Sequence, residues 1–119
     1  MANPNIVTVS TINGKTAVQS VTTSATAIVE NALASGKIFK INCLIISNID
    51  GTSAADITVD LYRSSTAYHV VKTVSVAADT AFTAIDKTLS LYLEEGDALR
   101  LTASAGGDLQ AVCSYEEIS

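Results

Sequence analysis

Apolar and polar residues alternate with a period of two in stretch after stretch of this chain, and short polar turns interrupt the alternation about every ten residues. In "DITVDLYR" Ile57, Val59 and Leu61 share one face while Thr58, Asp60 and Tyr62 share the other, the pattern of a half-buried antiparallel strand. Leu89, Leu91 and Leu93 alternate in the same way with Ser90, Tyr92 and Glu94, and Leu99, Leu101 and Ala103 with Arg100, Thr102 and Ser104. A chain patterned like this is expected to build sheets, not helix bundles.

Between the two leucine runs lies "EEGD", Glu94 to Asp97. Gly96 accepts a positive φ at no steric cost and Asp97 can bond the local backbone, so the stretch predicts a hairpin turn and not an acidic catalytic site. Further turn signals stand in "NIDGTSAAD" from Asn48, "RSST" from Arg63 and "SAGGD" from Ser104. Strands are expected near residues 5–10, 16–22, 25–30, 37–48, 55–63, 67–76, 80–86, 88–94, 97–104 and 108–116. One competitor is "ATAIVENALASGK", where Ile28, Ala32 and Leu33 fit a helical face with Gly36 as C-cap. The run "FKINCLIISNI" is apolar at nearly every position from Ile41 to Ile46, which suggests a central strand covered on both faces or a subunit contact.

The fold class read from these signals is all-β: an antiparallel β-sandwich of about eight to ten short strands, jelly-roll-like or immunoglobulin-like. A true immunoglobulin domain is disfavoured, because there is no tryptophan between the cysteines and Tyr115 follows Cys113 instead of preceding it. A length of 119 residues fits a single domain, 1–119. With 48% hydrophobic residues but 5% aromatics, the core must be built from Val, Ile, Leu and Ala, which speaks against a ring-lined ligand pocket.

Seven Lys and Arg against twelve Asp and Glu give a net charge of -5 with no basic cluster, so no nucleic-acid partner is expected. The start, "MANPNIVTVS", lacks the n-region and h-region of a secretory signal, and the longest strongly apolar run, "CLII", is far short of the roughly 18 residues of a membrane span. The expectation is a chain neither exported by that route nor embedded in a membrane.

Chemistry-bearing residues are sparse. His69 is the single histidine and sits in the strand-like "AYHVVK". Glu94 with Glu95, and Glu116 with Glu117, are sequence neighbours on strand ends and would point to opposite faces, unlike the paired carboxylates of a glycosidase. Glu95 with Asp97, or Asp50 beside Gly51, offers hard oxygen ligands without the spacing of a calcium loop. "NGK" at 13–15 is too short for a phosphate-binding loop. No catalytic, cofactor-binding or metal-ligating residue is assigned, and the chain reads as a non-enzyme. Cys43 and Cys113 lie within strand-like stretches and are expected to be reduced thiols acting as small apolar groups; a bridge would require their strands to be neighbours, which the sequence leaves open.

Three stretches carry a family resemblance: "NPNIVTVSTINGKTA", "SNIDGTSAADITVDLY" and "IDKTLSLYLEEGDALRLTASAGGDLQAVCSYEEIS". Together they resemble a group of small virion structural proteins of tailed bacteriophages, particularly phages of cyanobacteria and other marine bacteria. The likeness runs from about Asn5 to Ser119, with "LYLEEGD" and "SYEEIS" as its most distinctive pieces. It implies an all-β protein present in many copies, a capsid decoration or cement protein bound to the major capsid protein or other virion proteins. The alternative is a tail fibre or baseplate component with a receptor- or glycan-binding role, for which Tyr62, Tyr68 and Tyr92 are candidate stacking residues. The location implied is the virion, after assembly in the host cytoplasm, whose reducing conditions oppose an early disulfide.

A thin sandwich has edge strands that must be blunted, covered or paired. A homo-oligomer, a trimer or a lattice-matched cluster, is therefore expected. Residues 1–10 are a candidate arm: Pro4 stiffens its entry, and Ile6, Val7 and Val9 could add a strand to an adjacent subunit. The alternative is that they form an edge strand of their own sandwich.

Overall fold

The computed structural model describes residues 4–119. Among the described residues nine strands follow one another: β1 (Ile12–Ser20), β2 (Thr26–Glu30), β3 (Ile38–Asn48), β4 (Ala55–Arg63), β5 (Thr66–Val76), β6 (Ala81–Ile85), β7 (Leu91–Leu93), β8 (Ala98–Ala103) and β9 (Leu109–Ile118). A single 3-10 turn, Lys87–Leu89, separates β6 from β7.

Two antiparallel sheets result, one in the order β1-β9-β3-β6 with β7 also paired to β3, the other in the order β2-β8-β4-β5. Counting β6 and β7 as two halves of one strand along β3, early and late strands interleave in each sheet as in an eight-stranded jelly roll. Of the two sandwiches the sequence allowed, the topology selects this one.

The core lies between the sheets and is aliphatic. Ile57 and Val59 of β4, Leu99 and Leu101 of β8, Ile41, Leu44 and Ile46 of β3, and Leu109 and Cys113 of β9 are fully buried. Each such Ile or Leu contributes about 1.5–3 kcal/mol by leaving water. The period-two faces hold for β4 and β8, with Ala103 also buried.

Three strands depart locally from the expected bounds. Residues 5–10 form no strand: the Asn5 side chain accepts the Val7 N–H at 2.9 Å and its carbonyl accepts the Thr8 N–H at 3.0 Å, closing a turn. The first strand starts at Ile12 instead of near residue 16. The expected strand at 25–30 forms as β2, and the competing helix over 25–37 does not, because Asn31 is captured by the core as described below. The expected 88–94 strand is cut short, since Asp86 accepts from the Thr88 N–H and hydroxyl and caps the 3-10 turn, leaving Leu89 exposed.

In β3 a register shift against β9 falls between Ile41 and Cys43. The extra residue of this bulge keeps Ile41, Leu44 and Ile46 on the core face, while Asn42, Cys43 and Ile45 are half-buried. The strand is central, but one face alone is fully covered. The bulge also explains why the sequence there is apolar at nearly every position instead of alternating.

Candidate functional site

Three connections meet at one end of the sandwich: the 31–37 loop, the β4–β5 turn and the β7–β8 turn. Arg63, the last residue of β4, reaches across to the β7–β8 turn. Its Nε donates to Asp97 Oδ1 at 2.7 Å, its Nη2 donates to Asp97 Oδ2, and Nη2 also donates to Glu94 Oε2 at 2.8 Å. Asp97 is buried, and its Oδ2 accepts the Glu94 N–H at 2.8 Å as well. A planar guanidinium forked onto a carboxylate is the strong form of ion pairing. The Arg63 guanidinium is held even more firmly in its charged form by Asp97.

The neighbouring carboxylate, Glu95, sits in the turn itself and bonds to a different connection. Glu95 Oε2 accepts the Gly36 N–H at 2.6 Å and so ties the turn to the 31–37 loop. Gly96 adopts φ +90, and the Leu33 side chain lies 2.8 Å from where a Cβ would stand. A shallow depression of 290 Å³ opens here beside Tyr62, Arg63, Glu95 and Leu33. "EEGD" is thus a hairpin turn, and additionally a fastener that draws three connections together. Both oxygens of Asp97 are committed to neighbours, which suits holding a shape better than moving a proton.

Asn31 organises the same end from inside. It is fully buried; its Nδ2 donates to Lys37 O at 2.9 Å and Leu93 O at 3.0 Å, and its Oδ1 accepts the Ser35 hydroxyl at 2.6 Å. Its backbone accepts from Gly96 and donates to Asp97 O, both at 2.8 Å. At the opposite end Asn48 plays the matching part: it is buried, and its Nδ2 donates to Ser53 O and Val76 O, each at 2.9 Å. Neither asparagine stands out in the sequence. Their one signal is position, Asn31 directly after the end of β2 and Asn48 at the end of the most apolar run in the chain.

Equally hidden in the sequence is the Asp60–Arg100 pair, directly opposite in the β4–β8 register. Arg100 donates to the buried Asp60 at 2.9 and 3.3 Å, and its guanidinium carbon lies 3.8 Å over the Tyr62 ring. The pairing of Asp60 and Arg100 exists only in this strand register, so it opposes slippage.

The remaining candidates are scattered. His69 is exposed on β5. Glu117 bridges Lys37 at 2.8 Å and Lys15 at 3.0 Å, and these bonds, Lys37 first, hold its carboxyl below the usual range. Glu116 accepts from Asn42 at 3.3 Å. Asp50 accepts the Thr52 N–H and hydroxyl, both at 2.9 Å, which lower its pKa. Among the described residues no three His, Cys, Asp or Glu side chains are placed to hold a metal ion together.

Cys43 and Cys113 are free thiols on the neighbouring strands β3 and β9. Cys43 is paired with Ser114 and Cys113 with Leu44, so the two side chains point to opposite faces of the sheet and are not poised to bridge. Burial pushes the Cys113 thiol up to about 12. The three tyrosines do not assemble either: Tyr62 is covered by Arg100, Tyr68 is exposed on β5, and Tyr92 stands in the other sheet.

No family model matches the chain, and no curated protein does. Among solved structures the chain is similar to a subunit of Bacillus endospore appendages, described as a novel family of disulfide-linked pili. The likeness has a TM-score of 0.51 at 15% identity and covers 90% of this chain and 85% of that one. It is a likeness of fold.

Proposed function

We propose that this chain is a virion structural protein of a tailed bacteriophage, and specifically a capsid decoration or cement protein that binds the major capsid lattice. The observation that carries the reading is where the polar chemistry goes. Arg63, Asp97, Glu94, Arg100, Asp60, Glu117 and Asn31 are all engaged within the chain, and the depressions on the surface are shallow. Such a molecule works by presenting a rigid surface, which suits a lattice-bound, non-catalytic role.

The sequence resemblance to phage virion proteins supports a virion location for this role. The likeness to a pilus subunit adds a second case in which the same fold serves repetitive assembly. The described part of the proposed arm, residues 4–10, leaves Ile6 50% and Val7 87% exposed, apolar surface available to a neighbouring virion subunit.

Purified particles test the proposal. The chain should be present at a fixed, high stoichiometry to the major capsid protein and should rebind particles stripped of it. A handful of copies per particle would sink the decoration role and favour the tail position.

A further inference from the structure

An unpaired sheet edge is a template for another strand unless something blunts it. Among the described residues the four edges differ sharply. β5 carries two register shifts against β4, with Thr73 in the left-handed region and Lys72 exposed. β2 is five residues long, contains a bulge between Ala27 and Val29, and ends in Glu30. On the far side of the other sheet, β6 and β7 are short and separated by the 3-10 turn. Each of these carries a recognised guard against pairing: brevity, a bulge or a charge.

β1 carries none. It pairs with β9 one to one from Ile12 to Ser20 without a bulge, is exposed along almost its whole length, and contains no proline. Its single charge, Lys15, is drawn to Glu117 at 3.0 Å and so is not free to guard the edge.

The direction of its free backbone groups follows from the ladder. Thr11 and Ser119 exchange N–H to O bonds at 2.9 and 3.0 Å, and the Val21 N–H donates to Leu109 O at 2.9 Å. With unbroken alternation in between, the odd-numbered residues bond to β9. Ile12, Gly14, Thr16, Val18 and Ser20 therefore turn their N–H and C=O groups outward.

We propose that β1 is a docking edge for β1 of a second copy of this chain, antiparallel about a two-fold axis at Thr16. In that register Thr16 meets its own counterpart, Gly14 meets Val18, and Ile12 meets Ser20, so all five outward residues are used. Centring on Gly14 or Val18 would engage three of the five. Val18, 74% exposed, then lies over Gly14 of the second copy, where a side chain finds open space. The pairing is isologous and closes as a dimer instead of propagating. It stands on the edge geometry alone and does not depend on the virion role.

The test is the mass of the full chain in solution by sedimentation equilibrium. The native chain is expected to form a dimer that dissociates on dilution; a monomer at every concentration overturns the proposal. Thr16→Pro removes an outward N–H without touching the β9 ladder, and Thr16→Lys sets two ammonium groups against each other at the axis. Both are expected to be monomers that melt like the native chain diluted to monomer, and a dimer persisting in the folded Thr16→Lys chain overturns the proposal even if Thr16→Pro fails to fold. Thr16→Cys should cross-link chain to chain on mild oxidation, whereas Asn13→Cys should stay at the native baseline; equal cross-linking of the two also overturns it. A confirmed dimer that no particle contains would leave this inference standing and sink the virion reading alone.

Discussion

The two ends of the sandwich solve one problem with different chemistry. Each is organised by a buried asparagine, Asn31 directly after β2 and Asn48 as the last residue of β3. Around Asn31 the connections are further tied by charge, with Arg63 clamped onto Asp97 and Glu94, and Glu95 bonded to Gly36. Around Asn48 backbone bonds do the work: Asn48 N–H to Thr80 O at 2.8 Å, Ile49 N–H to Asp108 O at 2.8 Å, and Asp79 N–H to Asp50 O at 3.2 Å. The connections there carry Asp50, Asp79 and Asp108 and no Lys or Arg. Loop closure thus depends on the amide hub at both ends, while the ion pair is an addition at one.

If so, the hubs should be the most sensitive positions. Asn31→Ala and Asn48→Ala each strand one buried and one part-buried carbonyl and should each cost about 3 kcal/mol, read from urea unfolding. A small loss at one alone would break the parallel between the ends. Asp97→Asn weakens the Arg63 fork and should cost about 2 kcal/mol, clearly more than Asp50→Asn, whose carboxylate bonds only its own turn. Equal losses would mean that the charged clamp adds nothing. Gly96→Ala combines a positive φ with a close Leu33 contact and should cost about 1–2 kcal/mol; an unchanged midpoint would show that the Leu33 side chain simply moves aside.

Acid should produce the smallest effect. Asp50, Asp86 and Glu117 are held below their ordinary values of 3.8, 3.8 and 4.5 by hydrogen bonds from Thr52, Thr88 and Lys37. Groups depressed in the folded state contribute stability above their unfolded pKa and lose it as pH falls through the folded one. The melting temperature should therefore hold down to pH 4.5 and decline below it. A profile that instead improves in acid would mean that repulsion among Asp50, Asp79 and Asp108 outweighs these hydrogen bonds.

Strand alternation made most of the fold legible, because the faces of β4 and β8 are written one residue at a time in "DITVDLYR" and "ALRLTA". What escaped were features that depend on partners distant in sequence. Asn31 reads as a helix-interior or turn residue until Leu93 supplies its carbonyl, and Asp97 reads as a local turn former until Arg63 arrives 34 residues away. The 3-10 turn at Lys87–Leu89 was hidden for the opposite reason: Asp86 and Thr88 bond locally and override the leucine periodicity. The expected strand at 5–10 failed because Asn5 offers the backbone a turn at lower cost than a strand without a partner.

The β4–β5 connection has a practical consequence. Ser64 and Ser65 both sit in the left-handed region, φ 51 and 62, and are exposed. Two-residue hairpins with this geometry favour Asn-Gly, so the native serines leave stability unclaimed at a solvent-facing tip. Arg63 and Thr66 fix the strands on either side of it. The tip is thus a natural grafting point: a foreign peptide spliced between Ser64 and Ser65 would be displayed at a defined spot, reaching at most about 34 Å for every ten residues added, with the sandwich beneath it undisturbed.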